Sequence, residues 1–149
     1  MVGPSSAPVI VLAADDNPNN LRLLEAIIDS QGYTFFGARS GHECLAWAAR
    51  LPPSLVILDV EMPDMDGYET CRRLRANEGT RRTPVAFFTA HRRNEDLRLG
   101  LAAGGNDFLL KPIDPAKLLS RVERLIRAPL TAPSAAKKKS DPHGAIVWV

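Results

Sequence analysis

Four short apolar runs in this chain each stop abruptly at a polar residue, and this repeated pattern limits what the chain can fold into. The runs end at Asp15-Asp16, at Asp59, at Thr89 and at Lys111. Between them, apolar residues recur at helical spacing, so strands alternate with amphipathic helices. Such alternation is typical of right-handed crossovers and of a parallel sheet covered by helices on both faces. If the runs are parallel strands, three carboxylates, a hydroxyl and an ammonium group lie along one edge of the sheet.

Capping and breaking residues mark the ends of the helices that separate these runs. The predicted helix starts are Asn17-Pro18, Ser40-Gly41, Asp66, Asn94 and Asp114-Pro115. An N-cap oxygen and a proline at the first helical position favour such starts, and glycine favours the ends. Gly32 is therefore predicted to close the first helix, and Gly104-Gly105 the fourth. A weaker apolar segment, Tyr33 to Ala38, ends without a functional group, so we expect it at an edge of the sheet, beside the first strand.

The length and composition suit one globular domain. The chain has 149 residues, of which 45% are hydrophobic and 24% charged, and its formal charge is +2. This charge gives no indication of direct binding to nucleic acid or to a membrane. The first apolar run is too short for a signal peptide, and no stretch approaches the ~20 apolar residues that span a bilayer. We therefore expect a cytoplasmic protein with a flexible arm over residues 1–8, a domain over 9–127 and a mobile tail over 128–149.

The acidic residues at the strand ends point to a metal site. Asp15, Asp16 and Asp59 would bring three like charges within a few ångströms of one another. Two unit charges 4 Å apart repel by about 4 kcal/mol at an effective dielectric constant of 20, so the cluster must stay partly protonated or hold a cation. Hard oxygen ligands in a small cluster favour Mg²⁺. Lys111 would supply a further positive charge.

The same arrangement suits phosphoryl transfer to Asp59. Carboxylates can accept phosphoryl groups, and catalysis of that step is mostly alignment and charge neutralisation. Mg²⁺, Lys111 and the Thr89 hydroxyl would each take one equatorial oxygen. The added charge would pull Thr89 inward and let Phe108 fill the space it leaves, which would make a two-state switch.

Each of these residues also has an ordinary structural explanation. An acidic pair at a strand end is commonly a helix cap, Thr89 alone a turn residue, Lys111 alone a solvated charge and Phe108 alone a core residue. Their joint appearance, in order, at the ends of strands one, three, four and five favours the functional interpretation.

Several stretches together resemble the receiver domain of bacterial two-component response regulators, the CheY-like family. They are ADDN at 14–17, LDVEMPDMDG at 58–67, FTA at 88–90 and AGGNDFLLKP at 103–112. The resemblance implies a flavodoxin-like, doubly wound (βα)5 fold with a five-stranded parallel sheet of order 2-1-3-4-5. This order agrees with the edge position expected for the second strand.

The resemblance also implies roles for individual residues. Asp59 would accept phosphate from a sensor histidine kinase or a histidine phosphotransfer protein. Asp16 and Asp59 would bind Mg²⁺ through their side chains, Glu61 through its backbone carbonyl and Asp15 mainly through water. Thr89 and Phe108 would form the switch pair, and Lys111 would precede a cis proline, Pro112. The face made by helix four, strand five and helix five, with Arg92, Arg93, Arg98 and residues 114–127, would meet a downstream protein target or an output domain.

These features favour a signalling module that is not an enzyme in the turnover sense. A haloacid-type phosphatase also uses an aspartate nucleophile, but that nucleophile follows the first strand, whereas Asp59 follows the third. A scaffold that keeps the fold without phosphorylation would not need the full set of polar strand ends. The cognate kinase, the downstream target and a phosphorylation-dependent homodimer stay open.

Overall fold

Strands and helices alternate regularly in the computed structural model, which describes residues 8–91 and 93–127. The strands are β1 (Ile10–Ala14), β2 (Thr34–Ala38), β3 (Leu55–Asp59), β4 (Val85–Thr89) and β5 (Asp107–Leu110). The helices are α1 (Pro18–Asp29), α2 (Gly41–Arg50), α3 (Gly67–Ala76), α4 (Asn94–Ala103) and α5 (Pro115–Arg127). Apart from Pro8, the predicted arm lies outside the described residues, as do the predicted tail and Arg92. None of the described helices is both long enough and apolar enough to cross a membrane.

All five strands are parallel and lie in the order β2-β1-β3-β4-β5, as predicted. The chain runs outward from β1 to β2 and then returns to the other side of β1 to form β3. The direction of winding therefore reverses between β1 and β3. In open α/β sheets, ligands bind beyond the carboxyl ends of the strands at such a reversal point.

Both faces of the sheet are buried, which explains why the strands read as continuous apolar runs. Along β3, Val56 and Leu58 belong to the core beneath α2, α3 and α4, whereas Leu55 and Ile57 belong to the core beneath α1 and α5. All four side chains are at most 1% exposed. Parallel strands covered on both faces need this composition, because neither face meets water.

The predicted N-caps are largely confirmed. Asn17, Ser40 and Asp66 each accept a hydrogen bond from a backbone amide in the first turn of the helix they precede. The end of α1 differs from the prediction, because Ser30 caps the helix and Gly32 follows two residues later at a φ of 78°. The intervening turn explains the offset, since Gly32 donates its amide to the carbonyl of Asp29.

The inward face of α4 is not the one that large apolar residues alone would indicate. Leu99 is 42% exposed, while Gly100 and Ala103 are the buried residues of this helix. Small residues face inward here because the aromatic rings of Phe87 and Phe108 fill the space below the helix.

Candidate functional site

The strand ends place the predicted polar residues side by side. Asp59 ends β3 and Thr89 ends β4, while Asp15 and Lys111 directly follow β1 and β5. Ala14 pairs in register with Leu58, so Asp15 and Asp59 lie at the same level of the sheet. The regular register of a parallel sheet thus gathers residues from four distant segments into one cleft.

Three carboxylates form the centre of this cleft. Asp15, Asp16 and Asp59 each offer an oxygen, and these atoms all lie within 4.8 Å of one another. Asp15 and Asp59 are only 1% and 5% exposed, whereas Asp16 faces solvent. Hard carboxylate oxygens with one open side fit Mg²⁺, which binds one or two carboxylates and keeps several water ligands. The acidic cluster, as we call these three residues, is therefore able to hold a divalent cation.

Lys111 joins two members of the acidic cluster. Its Nζ lies 3.1 Å from Asp59 Oδ1 and 3.4 Å from Asp15 Oδ2. Burial alone would lower the pKa of Lys111, but the hydrogen bond and the charges of both carboxylates outweigh this effect and raise it. Three ionised carboxylates and one ammonium leave two net negative charges, which a divalent cation would neutralise.

Asp59 is held in an unfavourable environment for a charge. Burial, together with the neighbouring charge of Asp15, raises the pKa of Asp59 from 3.8 to about 6. The hydrogen bond from Lys111 and a weaker one from the Glu61 amide, at 3.4 Å, oppose this rise. Both donors contact the same oxygen, Oδ1. Within the described residues, Asp59 Oδ2 has no hydrogen-bond partner and is therefore the oxygen free for chemistry.

Asp15 is fixed by two neighbours whose contacts with it sequence reasoning missed. The backbone amide of Asn17 donates to Asp15 Oδ1 at 2.9 Å, and Asn20 Nδ2 donates to Asp15 Oδ2 at 3.0 Å. Asn20 lies in the first turn of α1, where spacing alone does not show that the side chain turns back toward the strand end. The polar opening of this helix was the only available signal.

A close approach of α3 shapes the loop that carries Glu61. A Cβ on Gly67 would lie 2.4 Å from the carbonyl oxygen of Asp59, so only glycine fits there. The Gly67 amide donates to the carbonyl of Val60 at 2.9 Å. The Glu61 side chain itself is exposed. That the Glu61 backbone carbonyl binds a metal stays a prediction.

The two predicted switch residues lie on neighbouring strands and on the same face of the sheet, the face that carries Phe87. Thr89 is buried, and its Oγ1 accepts a hydrogen bond from the His91 amide at 3.1 Å. Phe108 is also buried, and its ring lies 5.2 Å from that of Phe87 in a tilted arrangement. Phe108 pairs in register with Phe87, two residues before Thr89. A movement of Phe108 into space left by Thr89 stays a prediction.

The predicted recognition face is partly described. Arg93 and Arg98 are exposed on or beside α4, and Arg93 forms an ion pair with Asp96 at 3.1 Å. Leu99 and Leu110 add exposed apolar surface. The bond between Lys111 and Pro112 is cis, as the resemblance implied.

A parallel sheet of this order, with an acidic cleft and a lysine at its carboxyl edge, defines the receiver class of two-component signalling proteins. The family model described as "Response regulator receiver domain" matches residues 11–123. The chain belongs to this family.

Individual relatives agree with this assignment. Response regulator PleD of Caulobacter vibrioides is 40% identical over 131 residues, which cover 88% of this chain but only 29% of PleD. Chemotaxis protein CheY4 of Vibrio cholerae superposes with a TM-score of 0.78 at 31% identity, over 80% of this chain and 99% of CheY4. The receiver domain of a sensor histidine kinase from Pseudomonas aeruginosa gives a TM-score of 0.76 at 34% identity, over 82% of this chain and all of that domain. That domain was solved with a magnesium ion in its active site cleft.

Proposed function

We propose that this chain is a phosphorylation-dependent signalling receiver whose unit spans residues 9–127. In this proposal, Asp59 accepts a phosphoryl group from a sensor histidine kinase or a histidine phosphotransfer protein. The observation that carries it is the state of Asp59, a buried carboxylate with one oxygen bound by Lys111 and the other free at the edge of an acidic cluster. A nucleophile with one oxygen positioned and one oxygen open suits in-line attack on phosphorus.

The metal would be held chiefly by the side chains of Asp16 and Asp59. Asp15 would act through water, because Asn17 and Asn20 already occupy both of its oxygens. The Glu61 carbonyl would complete the protein ligands. When bound, Mg²⁺ supplies charge neutralisation for the phosphoryl oxygens.

Three residues of the chain then have separate roles in the phosphoryl transfer. An Asp59 oxygen forms a bond to phosphorus while the bond from phosphorus to the donor histidine nitrogen breaks, and the imidazole leaves. Lys111 passes from the Asp59 carboxylate to a phosphoryl oxygen, because the new charge lies there. The Thr89 hydroxyl, whose oxygen accepts a hydrogen bond from the His91 amide, would turn to contact a further phosphoryl oxygen. The chain acts as a phosphoacceptor, with at most slow self-phosphorylation and self-dephosphorylation.

The output would be a change in the surface made by α4, β5 and α5. Thr89 and Phe108 would couple the phosphoryl group to this surface, since both are buried on the strands beneath α4 and beside α5. The partner would be a downstream protein or an output domain rather than nucleic acid. The chain spans less than a third of the length of PleD. The kind of partner is therefore part of this proposal and is not taken from that relative.

The test compares two aspartates of the same region. Asp59→Asn should abolish covalent phosphorylation by acetyl phosphate and Mg²⁺, because an amide is a poor nucleophile. Asp64→Asn makes the same change at an exposed aspartate five residues later and should leave phosphorylation unchanged. Intact-protein mass spectrometry measures both. Phosphate on the Asp59→Asn protein, at the wild-type level, would contradict the assignment.

Beryllofluoride with Mg²⁺ separates the competing functions. We expect backbone NMR shifts around Asp59, Thr89 and Phe108 in the wild-type protein. A scaffold would show no such shifts, and a phosphatase would turn over small phosphoesters.

A further inference from the structure

The side chain of Asn20 makes a contact with the acidic cluster that no ligand role explains. Its Nδ2 lies 3.0 Å from Asp15 Oδ2, and this carboxylate is almost completely buried. The other Asp15 oxygen takes the Asn17 amide at 2.9 Å. With a donor on each oxygen, the carboxylate is fixed in one orientation.

The oxygen bound by Asn20 is also the one that attracts Lys111. Lys111 Nζ lies 3.4 Å from Asp15 Oδ2 but 3.1 Å from Asp59 Oδ1, so the ammonium favours Asp59. Asn20 satisfies Asp15 with a neutral donor and leaves the full charge of the carboxylate in the site. Without this donor, Asp15 Oδ2 would keep Lys111 as its remaining partner among these contacts, and a charged hydrogen bond is stronger than a neutral one. The ammonium would then move toward Asp15 and away from Asp59.

We propose that Asn20 is a positioning residue of the phosphoryl site, which holds Asp15 in place and thereby keeps Lys111 on Asp59. Its effect on phosphorylation rests on the proposed function, whereas its effect on metal binding does not. Outer-shell partners of metal-site carboxylates commonly change metal affinity by about 10- to 100-fold when removed. Asn20 acts one contact further out, because Asp15 itself would meet the metal through water, so we expect an effect at the lower end of this range.

The experiment removes the donor and keeps the helix. Asn20→Leu and Asn20→Ala both delete the amide and retain good helix formers in the first turn of α1. Asn19→Leu is the matched control, because Asn19 is exposed in the same turn and its side chain forms a hydrogen bond only with Arg22 among the described residues. Mg²⁺ affinity of the unphosphorylated protein is measured by NMR titration, and phosphorylation by acetyl phosphate is measured separately at saturating Mg²⁺.

We expect both Asn20 variants to bind Mg²⁺ about tenfold more weakly than the wild type, and Asn19→Leu to bind as the wild type does. At saturating Mg²⁺ the Asn20 variants should still be phosphorylated more slowly, because Lys111 is displaced. In an Asp15→Asn background, Asn20→Leu should have no further effect on affinity, since the side chain acts through Asp15. Mg²⁺ affinity within twofold of the wild type in both variants would overturn the proposal.

The outcomes also separate this proposal from the assigned function. If the wild-type protein binds Mg²⁺ but is not phosphorylated, the proposed function fails while the affinity comparison still decides the role of Asn20. An undiminished effect of Asn20→Leu in the Asp15→Asn background would show that Asn20 acts by another route, and the proposal would be wrong.

Discussion

Two features of its environment disfavour a negative charge on Asp59: the carboxyl group is buried, and it lies beside Asp15. Its environment is tolerable because Lys111 donates to Oδ1, and because either a proton or a cation can offset the remaining repulsion from Asp15. The repulsion from Asp15 that raises the pKa of Asp59 is the same repulsion that a bound cation would offset.

The pKa of Asp59 predicts how stability depends on pH. A carboxyl group whose pKa is about 6 in the folded protein and 3.8 as a free group binds more protons when folded between these values. Its contribution to stability is therefore fully present below pH 3.8 and is lost as the pH rises through about 6. The difference in the free energy of unfolding between wild type and Asp59→Asn, measured by urea titration without divalent cations, should change over this range in favour of Asn at higher pH. A difference that stays constant from pH 4 to pH 7 would show that Asp59 titrates normally.

At the residue scale, the sequence predicted the charged side chains of the site but not the residues that hold them in position. Asp59 and Lys111 could be found because an abrupt end of an apolar run puts the next polar residue at the sheet edge. Asn20 and Gly67 could not, since their roles depend on distances across a turn or between a helix and a loop. Apolar periodicity indicates the buried face of a helix where large side chains mark that face, but it carries no information on how closely a helix end approaches a neighbouring loop.

At the element scale, α4 is held more firmly at its carboxyl end than at its amino end. Arg75 Nε donates to the carbonyl of Gly104 at 3.0 Å, and the Cys71 thiol contacts the carbonyl of Ala103 at 3.3 Å. Near the amino end, the contact from α3 is a longer hydrogen bond from the Tyr68 hydroxyl to the carbonyl of Asp96, at 3.4 Å. Among the described residues, the hydrogen bonds that tie α4 to α3 are therefore shorter at its carboxyl end than near its amino end.

The element boundaries were predictable because they depend on local caps. The edge position of β2 followed from its lack of a functional end, whereas the full strand order came from the resemblance to receiver domains. The inward face of α4 was not, since a glycine supplies no apolar signal. Gly100 is buried because the Phe108 ring occupies the space where a side chain would be. Only the tertiary structure shows that a ring from β5 compensates for a small residue in a helix.

Gly100→Ala tests this compensation. A Cβ at this position would lie 2.3 Å from Cζ of Phe108, so the ring must shift. Alanine favours a helix by about 1 kcal/mol over glycine, yet overpacking a core costs about 1–3 kcal/mol, so we expect a net loss of roughly 1 kcal/mol in the free energy of unfolding. Phe108→Leu in the same protein should relieve the clash, and a double-mutant cycle by urea denaturation measures the coupling.

Gly79→Ala is the control for Gly100→Ala, because its Cβ would meet only Asn77 Oδ1 at 3.5 Å. We expect this control to change stability little. Additive effects of Gly100→Ala and Phe108→Leu would mean that the ring does not depend on the glycine.

At the scale of the whole molecule, charged groups are balanced differently at the carboxyl edge and at the amino edge of the sheet. The carboxyl edge gathers the acidic cluster, which carries excess negative charge. At the amino edge, the guanidinium of the half-buried Arg75 donates to the carbonyl of Thr83 at 2.6 Å and to Asn106 Oδ1 at 2.9 Å, so it is satisfied by neutral acceptors. The polar groups of Arg75 are thus satisfied within the chain, whereas the acidic cluster keeps a negative charge that a bound cation would offset.

Mg²⁺ should therefore stabilise the whole domain against unfolding at pH 7. A ligand that binds only the folded state adds about 2.7 kcal/mol at a hundredfold excess over its Kd, which corresponds to roughly 10 °C in Tm for a domain of this size. The gain should be smaller at pH 5, where protons compete for Asp59, and smaller in Asp16→Asn, which removes the solvent-facing carboxylate of the cluster. Asp64→Asn, at an exposed position outside the cluster, should keep the full gain. Calorimetry with and without the cation measures each case, and an equal rise in Tm for the Asp16→Asn protein would place the binding site elsewhere.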